Sequence, residues 1–263
     1  MHCFFVPPEQ ISKEEVTITG SDVNHIRNVL RMQPGDEFHV RTGQDDLDYR
    51  CRIESITALE VIGKILWIEE EGAELPSKIT LYQSLPKSDK MEWIIQKAVE
   101  LGAYSIVPVA AARSVVKLHG DKAANKVRRW NAVSESAAKQ SRRGVIPQVG
   151  QVMSFKEALK DAAAYDVVLI PYELAEDMTH TRQVLDSIRP GDSAAVFIGP
   201  EGGFEPEEVE AAIAMGAKSI ALGRRILRTE TAGMTLLSAL MIALEGRAPE
   251  NITEQQGNDD GTF

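Results

Sequence analysis

Two glycine-bearing stretches hold the residues whose types and spacing suggest chemistry. The first, 198-IGPEGG-203, follows the apolar run 194-AAVFI-198 and carries one carboxylate, Glu201. The second, 222-LGRRILRTETA-232, follows 219-SIALG-223 and carries Arg224, Arg225 and Arg228. A glycine turn after a strand lets bare backbone approach a ligand closely. Loops that cradle phosphate do so with backbone N–H groups, and a carboxylate is unwelcome among them. Both the Walker spacing and the Rossmann glycine triplet are absent, which disfavours a nucleotide-phosphate site. The second stretch, with Ile226 and Leu227 inside it, suits a cavity lined by backbone and aliphatic groups, and adenine is a ligand of that kind. A cationic group beside Glu201 would complete one such ligand, S-adenosylmethionine, whose sulfonium is positive. On spacing alone, two turns that merely reverse the chain explain the pattern equally well.

The elements that must position these residues divide the chain in two. Up to residue 72 the pattern is short and strand-like, with 37-EFHVRT-42, 49-YRCRIESI-56 and 60-EVIGKILWI-68 rich in β-branched and aromatic residues. One helix is expected over 22-DVNHIRNVLR-31, capped by Ser21 or Asp22, before the turn 33-QPGD-36. Residues 1–72 therefore read as a small β-barrel, and 69-EEEGAELPS-77 as a linker. From residue 73 to 249 strands alternate with helices. The strands are 79–85, 105–109, 166–170, 194–198 and 219–223. The helices are 88–103 (capped by Ser88, stopped by Gly102), 121–140, 205–215 and 230–245, the last capped by Thr229 or Thr231. This rhythm implies an α/β domain with a mostly parallel sheet, whose ligands sit outside the carboxyl ends of the strands. The polar tail 250–263 reads as disordered.

Composition narrows the function classes. Of 263 residues 43% are hydrophobic and 26% charged, which suits a globular protein with a proper core. No run is long and apolar enough for a membrane span, and the N-terminus lacks a secretory pattern. Cys3 and Cys51 fit neither a metal site nor a disulfide framework, so no metal is expected and a cytoplasmic setting fits. The net charge of −10 argues against a polyanionic partner, yet nine Lys or Arg lie between Arg113 and Arg143 against only Asp121 and Glu135. Such a segment is either a solvated helix face or an electrostatic footprint.

A resemblance decides between these readings. The pieces 24-NHIRNVLRM-32, 34-PGD-36, 92-EWIIQKAVELG-102, 139-KQSRRGVIP-147, 198-IGPEGG-203 and 221-ALGRRILRTETA-232 occur in this order over roughly residues 1–245. Together they resemble the RsmE family of ribosomal RNA methyltransferases, of the SPOUT class. The resemblance implies a PUA-like β-barrel RNA-binding domain, then an α/β methyltransferase domain with a C-terminal trefoil knot. It implies a homodimer that uses S-adenosylmethionine to methylate N3 of a uridine in 16S ribosomal RNA of the small subunit.

Carried onto this sequence, the cofactor site comprises Ile198, Gly199, Pro200, Gly202, Gly203, Leu222, Gly223, Ile226, Leu227, Thr231 and Ala232. Uridine N3 bears a proton, so the reaction needs a base, or a cation that stabilises the developing uracil anion. Arg228 is the expected cation and Glu201 a candidate base. Glu201 has a second reading, as a carboxylate favoured by the dipole of the following helix. RNA contacts are expected from His25, Arg27, Arg31, Lys87, Lys90, Arg113, Arg128, Arg143 and Arg225. Trp130 reads as a core residue or a base-stacking one. A non-catalytic RNA-binding module would have no need of intact cofactor loops, and a phosphate-binding NTPase would have a Walker lysine.

Overall fold

The computed structural model describes residues 2–70, 72–172 and 178–245. Its first sheet contains β1 (Cys3–Phe5), β2 (Glu15–Thr19), β3 (Glu37–Arg41), β4 (Leu47–Ile56) and β5 (Glu60–Glu70), in the order β1-β3-β4-β5-β2. Alternation builds it: Val16 and Ile18 of β2 and Phe38 and Val40 of β3 turn inward to one core with Phe4, Ile26, Ile53 and Val61. Register shifts between Arg50 and Cys51 and between Ile53 and Ser55 bend β4 against β5, which helps the sheet curl. The small β-barrel expected from sequence takes the form of a curled half-barrel sheet with β1 and β2 at its edges.

The helix expected at 22–31 also differs. It is a single α turn, α1 (Ser21–Asn24), continued by a π turn over His25–Val29. Neither Ser21 nor Asp22 caps it. Gly20 does so with backbone alone at φ 76°, a left-handed conformation that turns the chain out of β2 within one residue.

The second sheet contains β6 (Ile79–Ser84), β7 (Ser105–Ala110), β8 (Gln148–Val149), β9 (Met153–Ser154), β10 (Val167–Pro171), β11 (Ala194–Ile198) and β12 (Lys218–Ile220). Its order is β12-β10-β11-β6-β7-β8, with β9 beside β7, and every pairing is parallel. Successive residues serve opposite faces. Leu81 and Val196 join one cluster with α2 (Lys90–Glu100), α3 (Gly120–Gln140), α5 (Met178–Asp186) and α7 (Thr229–Leu244). Tyr82 and Phe197 join the other with α4 (Phe155–Ala162) and α6 (Pro206–Ala214). β7 lies on one side of β6 and β11 on the other, so the connections diverge there and leave a crevice at the carboxyl ends.

Most expected elements are present within a few residues, and the departures are local. Ser88 does not cap α2: it has φ 60°, and the helix starts at Lys90 after Asp89, without a side-chain bond. Gly102, at φ +84°, does end α2. Nor do Thr229 or Thr231 cap α7, which begins at Thr229 after Arg228. Two helices were missed. α4 had a legible signal, the Ser154–Glu157 capping box, and the residues that lead into α5 lie outside the described ones. The stretch 69–77 is only partly a linker, because β5 runs through Glu70 and Ser77 is buried. The expected tail, 250–263, lies outside the described residues.

Candidate functional site

The carboxyl ends of β10, β11 and β12 converge on one cleft of ≈ 760 Å³. Its volume is in the usual range for a small-molecule or cofactor site. Ile198, Gly199, Pro200, Gly202 and Gly203 line one side, and Leu222, Gly223, Ile226, Leu227 and Ala232 another. Thr231, expected there, is not on the lining. Pro171, Tyr172, Phe204, Ala221, Arg224 and Thr229 line it without having been assigned from sequence. Pro171 ends β10 and Tyr172 follows it with no glycine signal, and only tertiary structure brings them here.

The first turn is shaped by close backbone approach, and the second by the left-handed backbone of Gly223 at φ +107°. A Cβ on Gly199 would stand 3.3 Å from the backbone of Gly203, which itself has φ +69°. Gly203 N–H closes the turn by donating to Pro200 O at 2.9 Å. From below, Thr229 Oγ1 donates to Gly199 O at 2.6 Å and accepts from Gln83 Nε2 at 2.9 Å.

Glu201 lines the cleft as a tethered carboxylate. Its Oε1 accepts from Lys87 N–H at 3.0 Å and from Lys90 Nζ at 3.4 Å, and Lys90 Nζ also meets Glu230 Oε2 at 3.3 Å. Burial pushes the Glu201 carboxyl up, but the backbone N–H groups of Glu201 and Lys87 and the Lys90 ammonium outweigh it. The group is held below the usual carboxylate range. Such a carboxylate is a poorer proton acceptor than a free one. The helix-dipole reading of Glu201 fails as well, since α6 starts at Pro206 and Glu208 accepts from Glu205 N–H.

Arg228, the expected cation, is exposed on the cleft, and so are Arg224 and Arg225. None of the three has an ion-pair partner among the described residues. Lys90 and Arg113 also line the cleft but are engaged: Arg113 donates to Gly202 O and to Glu205, both at 2.8 Å. Lys87 reaches the site through its backbone, with its side chain exposed. His25, Arg27 and Arg31 are exposed on the half-barrel, away from the cleft lining. Arg128 is exposed on α3 and donates to Asn125 Oδ1 at 3.3 Å.

Arg143 departs from expectation. Its side chain is 4% exposed, with Nε on Glu74 at 3.1 Å and Nη1 on Val99 O and Ala103 O at 3.0 and 2.7 Å. A guanidinium so enclosed is part of the protein interior and is not presented to RNA. Trp130, 3% exposed, is likewise core and not a base-stacking surface. Glu100 holds Lys97 at 2.7 Å at the end of α2.

Among the described residues no helix is long and apolar enough to cross a membrane, and no group of three or more His, Cys, Asp or Glu could hold a metal ion.

Known proteins share this architecture. The RNA methyltransferase domain family matches residues 73–241, and the RNA methyltransferase PUA domain family matches residues 18–66. The ribosomal RNA small subunit methyltransferase E of Bacillus subtilis (strain 168) is 39% identical over 232 residues, covering 87% of this chain and 90% of that protein. The chain belongs to this methyltransferase family. Among solved structures of similar fold, a family member from Neisseria gonorrhoeae bound to S-adenosyl methionine has a TM-score of 0.79 at 31% identity. It covers 93% of this chain and 98% of that one. A putative methyltransferase from Legionella pneumophila, solved with bound cofactor SAM, has a TM-score of 0.76 at 30% identity, covering 92% and 97%.

Proposed function

We propose that the chain is an S-adenosylmethionine-dependent methyltransferase acting on N3 of a uridine in 16S ribosomal RNA of the small subunit. The observation that carries this reading is the cleft at the carboxyl ends of the parallel strands, walled by two glycine turns, in a chain of the ribosomal RNA methyltransferase family.

The residues present suit the cofactor. Backbone of 199–203 and 221–227 offers polar groups to a purine without side chains intervening, while Ile198, Leu222, Leu227 and Ala232 supply apolar contact. Glu201 supplies negative charge near a cationic ligand. When bound, S-adenosylmethionine supplies a methyl group already activated by a sulfonium. The chain's task is then to align the uracil N3 and to ease loss of its proton. Arg228 is the proposed cation for the developing uracil anion, because its charge is unspent at the cleft. Glu201 is proposed to hold Lys90 and the 87–90 segment in place. Five cationic side chains and one carboxylate on the lining suit a polyanionic substrate.

The finer features rest on family membership. The class is SPOUT with a C-terminal trefoil knot, supported by the return of the chain from β12, past the end of β10, to seat Thr229 under Gly199. A homodimer is supported by Trp93 and Ile242, exposed on the mutually packed α2 and α7. RNA contact on the half-barrel falls to His25, Arg27 and Arg31. The cytoplasm, where small subunits are made, is the proposed location.

Calorimetry and labelled methyl transfer test the reading together. S-adenosylhomocysteine should bind and small ribosomal subunits should accept the label. Binding of ATP with Mg²⁺ but not of S-adenosylhomocysteine would reject it, and cofactor binding without transfer to any RNA would reduce the chain to a non-catalytic module.

A further inference from the structure

Beneath the cleft, a fully buried polar side chain serves no purpose that packing requires. Gln83 is the penultimate residue of β6, in register with Ile198 of β11, and is 0% exposed. Its Nε2 donates to Ser84 O at 3.0 Å and to Thr229 Oγ1 at 2.9 Å. Thr229 Oγ1 in turn donates a hydrogen bond to Gly199 O at 2.6 Å. The direction of this relay is fixed at every point. A carbonyl can only accept, so the hydroxyl must donate to it. The hydroxyl therefore accepts from Gln83, which orients the amide.

That orientation leaves Gln83 Oε1 buried without a hydrogen-bond partner. An apolar side chain of the same length would fill the space without an orphan acceptor. Retention of such a group in a buried position signals a task beyond packing. The two ends of the relay indicate the task. Gly199 opens the wall formed by residues 199–203, a turn folded so tightly that Gly199 nearly touches Gly203. Thr229 directly follows the wall formed by 221–228 and starts α7. The side-chain tie through Lys90, between Glu201 and Glu230, lies at the half-exposed rim and is screened by solvent. The Gln83 relay has both of its side chains buried.

We infer that Gln83 is a positioning residue which, acting through Thr229, locks the two walls of the cofactor cleft to each other. This inference rests on the cleft being the S-adenosylmethionine site. A locked pair of walls is preorganised, so the ligand does not have to order them on binding. Loss of the relay then weakens cofactor binding more than it slows the chemical step.

The test uses the full chain with Thr229→Val, which keeps the shape and removes the hydroxyl, Thr229→Ser, which keeps the hydroxyl, Gln83→Met, and the Gln83→Met/Thr229→Val double variant. The dissociation constant of S-adenosylhomocysteine is read by calorimetry, KM and kcat by methyl transfer, and amide hydrogen exchange of residues 199–204 on ligand-free protein. Thr229→Val and Gln83→Met should each weaken binding about tenfold, in line with loss of one or two buried hydrogen bonds. Both should raise KM with kcat nearly unchanged and speed exchange in the loop. Thr229→Ser should behave as wild type, and the double variant no worse than either single one. Wild-type exchange and affinity in Thr229→Val, or additive losses in the double variant, would overturn the relay. If wild type itself does not bind S-adenosylhomocysteine, the cofactor reading falls and the exchange data decide alone. Faster loop exchange rescued by serine upholds the lock, and unchanged exchange removes it.

Discussion

At the junction between the two sheets Arg41 and Arg143 are buried, whereas Arg224, Arg225 and Arg228 stand exposed at the cleft. The junction arginines are enclosed by acceptors. Arg41 holds Asp48, itself 0% exposed, at 2.7 Å and donates to Arg142 O. Arg143 holds Glu74 and two backbone carbonyls. Backbone joins the same seam, with Ile146 N–H on Gly43 O at 2.8 Å. The cleft arginines have no ion-pair partner among the described residues. The same guanidinium thus ties the seam together in one region and is left with its charge unpaired, among the described residues, in the other. What separates the two roles is how many acceptors the fold has already supplied.

The contrast can be broken by substitution. Arg143→Ala should have the largest effect, a loss of about 3 kcal/mol in denaturant unfolding, because Glu74 and two carbonyls lose their donor in a largely dry place. A loss within about 0.5 kcal/mol would mean that the seam is wet and the burial immaterial. Arg228→Ala should do the reverse. Its stability should stay within about 0.5 kcal/mol of wild type, while methyl transfer falls about a hundredfold with cofactor binding retained. Equal losses of stability and activity would erase the distinction between the regions.

Glu201→Gln sharpens the comparison at smaller scale. The glutamine still accepts from Lys87 N–H but no longer attracts Lys90, a half-exposed pair worth up to about 1 kcal/mol. Because the folded carboxyl is held below its ordinary range, its stabilising tie is complete above about pH 5 and is lost as pH falls through the lowered value. Methyl transfer by wild type should therefore show no rise between about pH 5 and 7 assignable to Glu201. A rise in that window which Glu201→Gln abolishes would restore Glu201 as the base. The smallest effect belongs to Arg128→Ala. If Arg128 meets a phosphate, the salt dependence of RNA affinity should lose about one unit of slope, with specificity unchanged.

The alternating pattern of the second half was legible because buried parallel strands announce themselves as short apolar runs, and 194-AAVFI-198 coincides with β11. The two glycine turns pointed to the cleft because glycine is specified where backbone approaches closely, as at Gly199, or turns left-handed, as at Gly203 and Gly223. What stayed hidden was set by tertiary partners. Nothing near Arg143 in sequence announces Glu74, which lies 69 residues away. Gln83 in 79-ITLYQSL-85 reads as one polar residue in a strand until Thr229 arrives from 146 residues away. The cap residues failed for a related reason. Ser21, Ser88 and Thr229 have good capping chemistry, yet left-handed backbone at Gly20 and Ser88 and the long-range bond of Thr229 took precedence.

The cleft is proposed to methylate a single uridine of the small-subunit RNA at N3. Small ribosomal subunits lacking the modification would be incubated with labelled S-adenosylmethionine and the protein, and the product nucleotide mapped by digestion and mass spectrometry. One N3-methyluridine, formed by wild type and lost with Arg228→Ala, is the expected result. Label at another atom or base, or no transfer to subunits or free 16S RNA despite measurable cofactor binding, would contradict it.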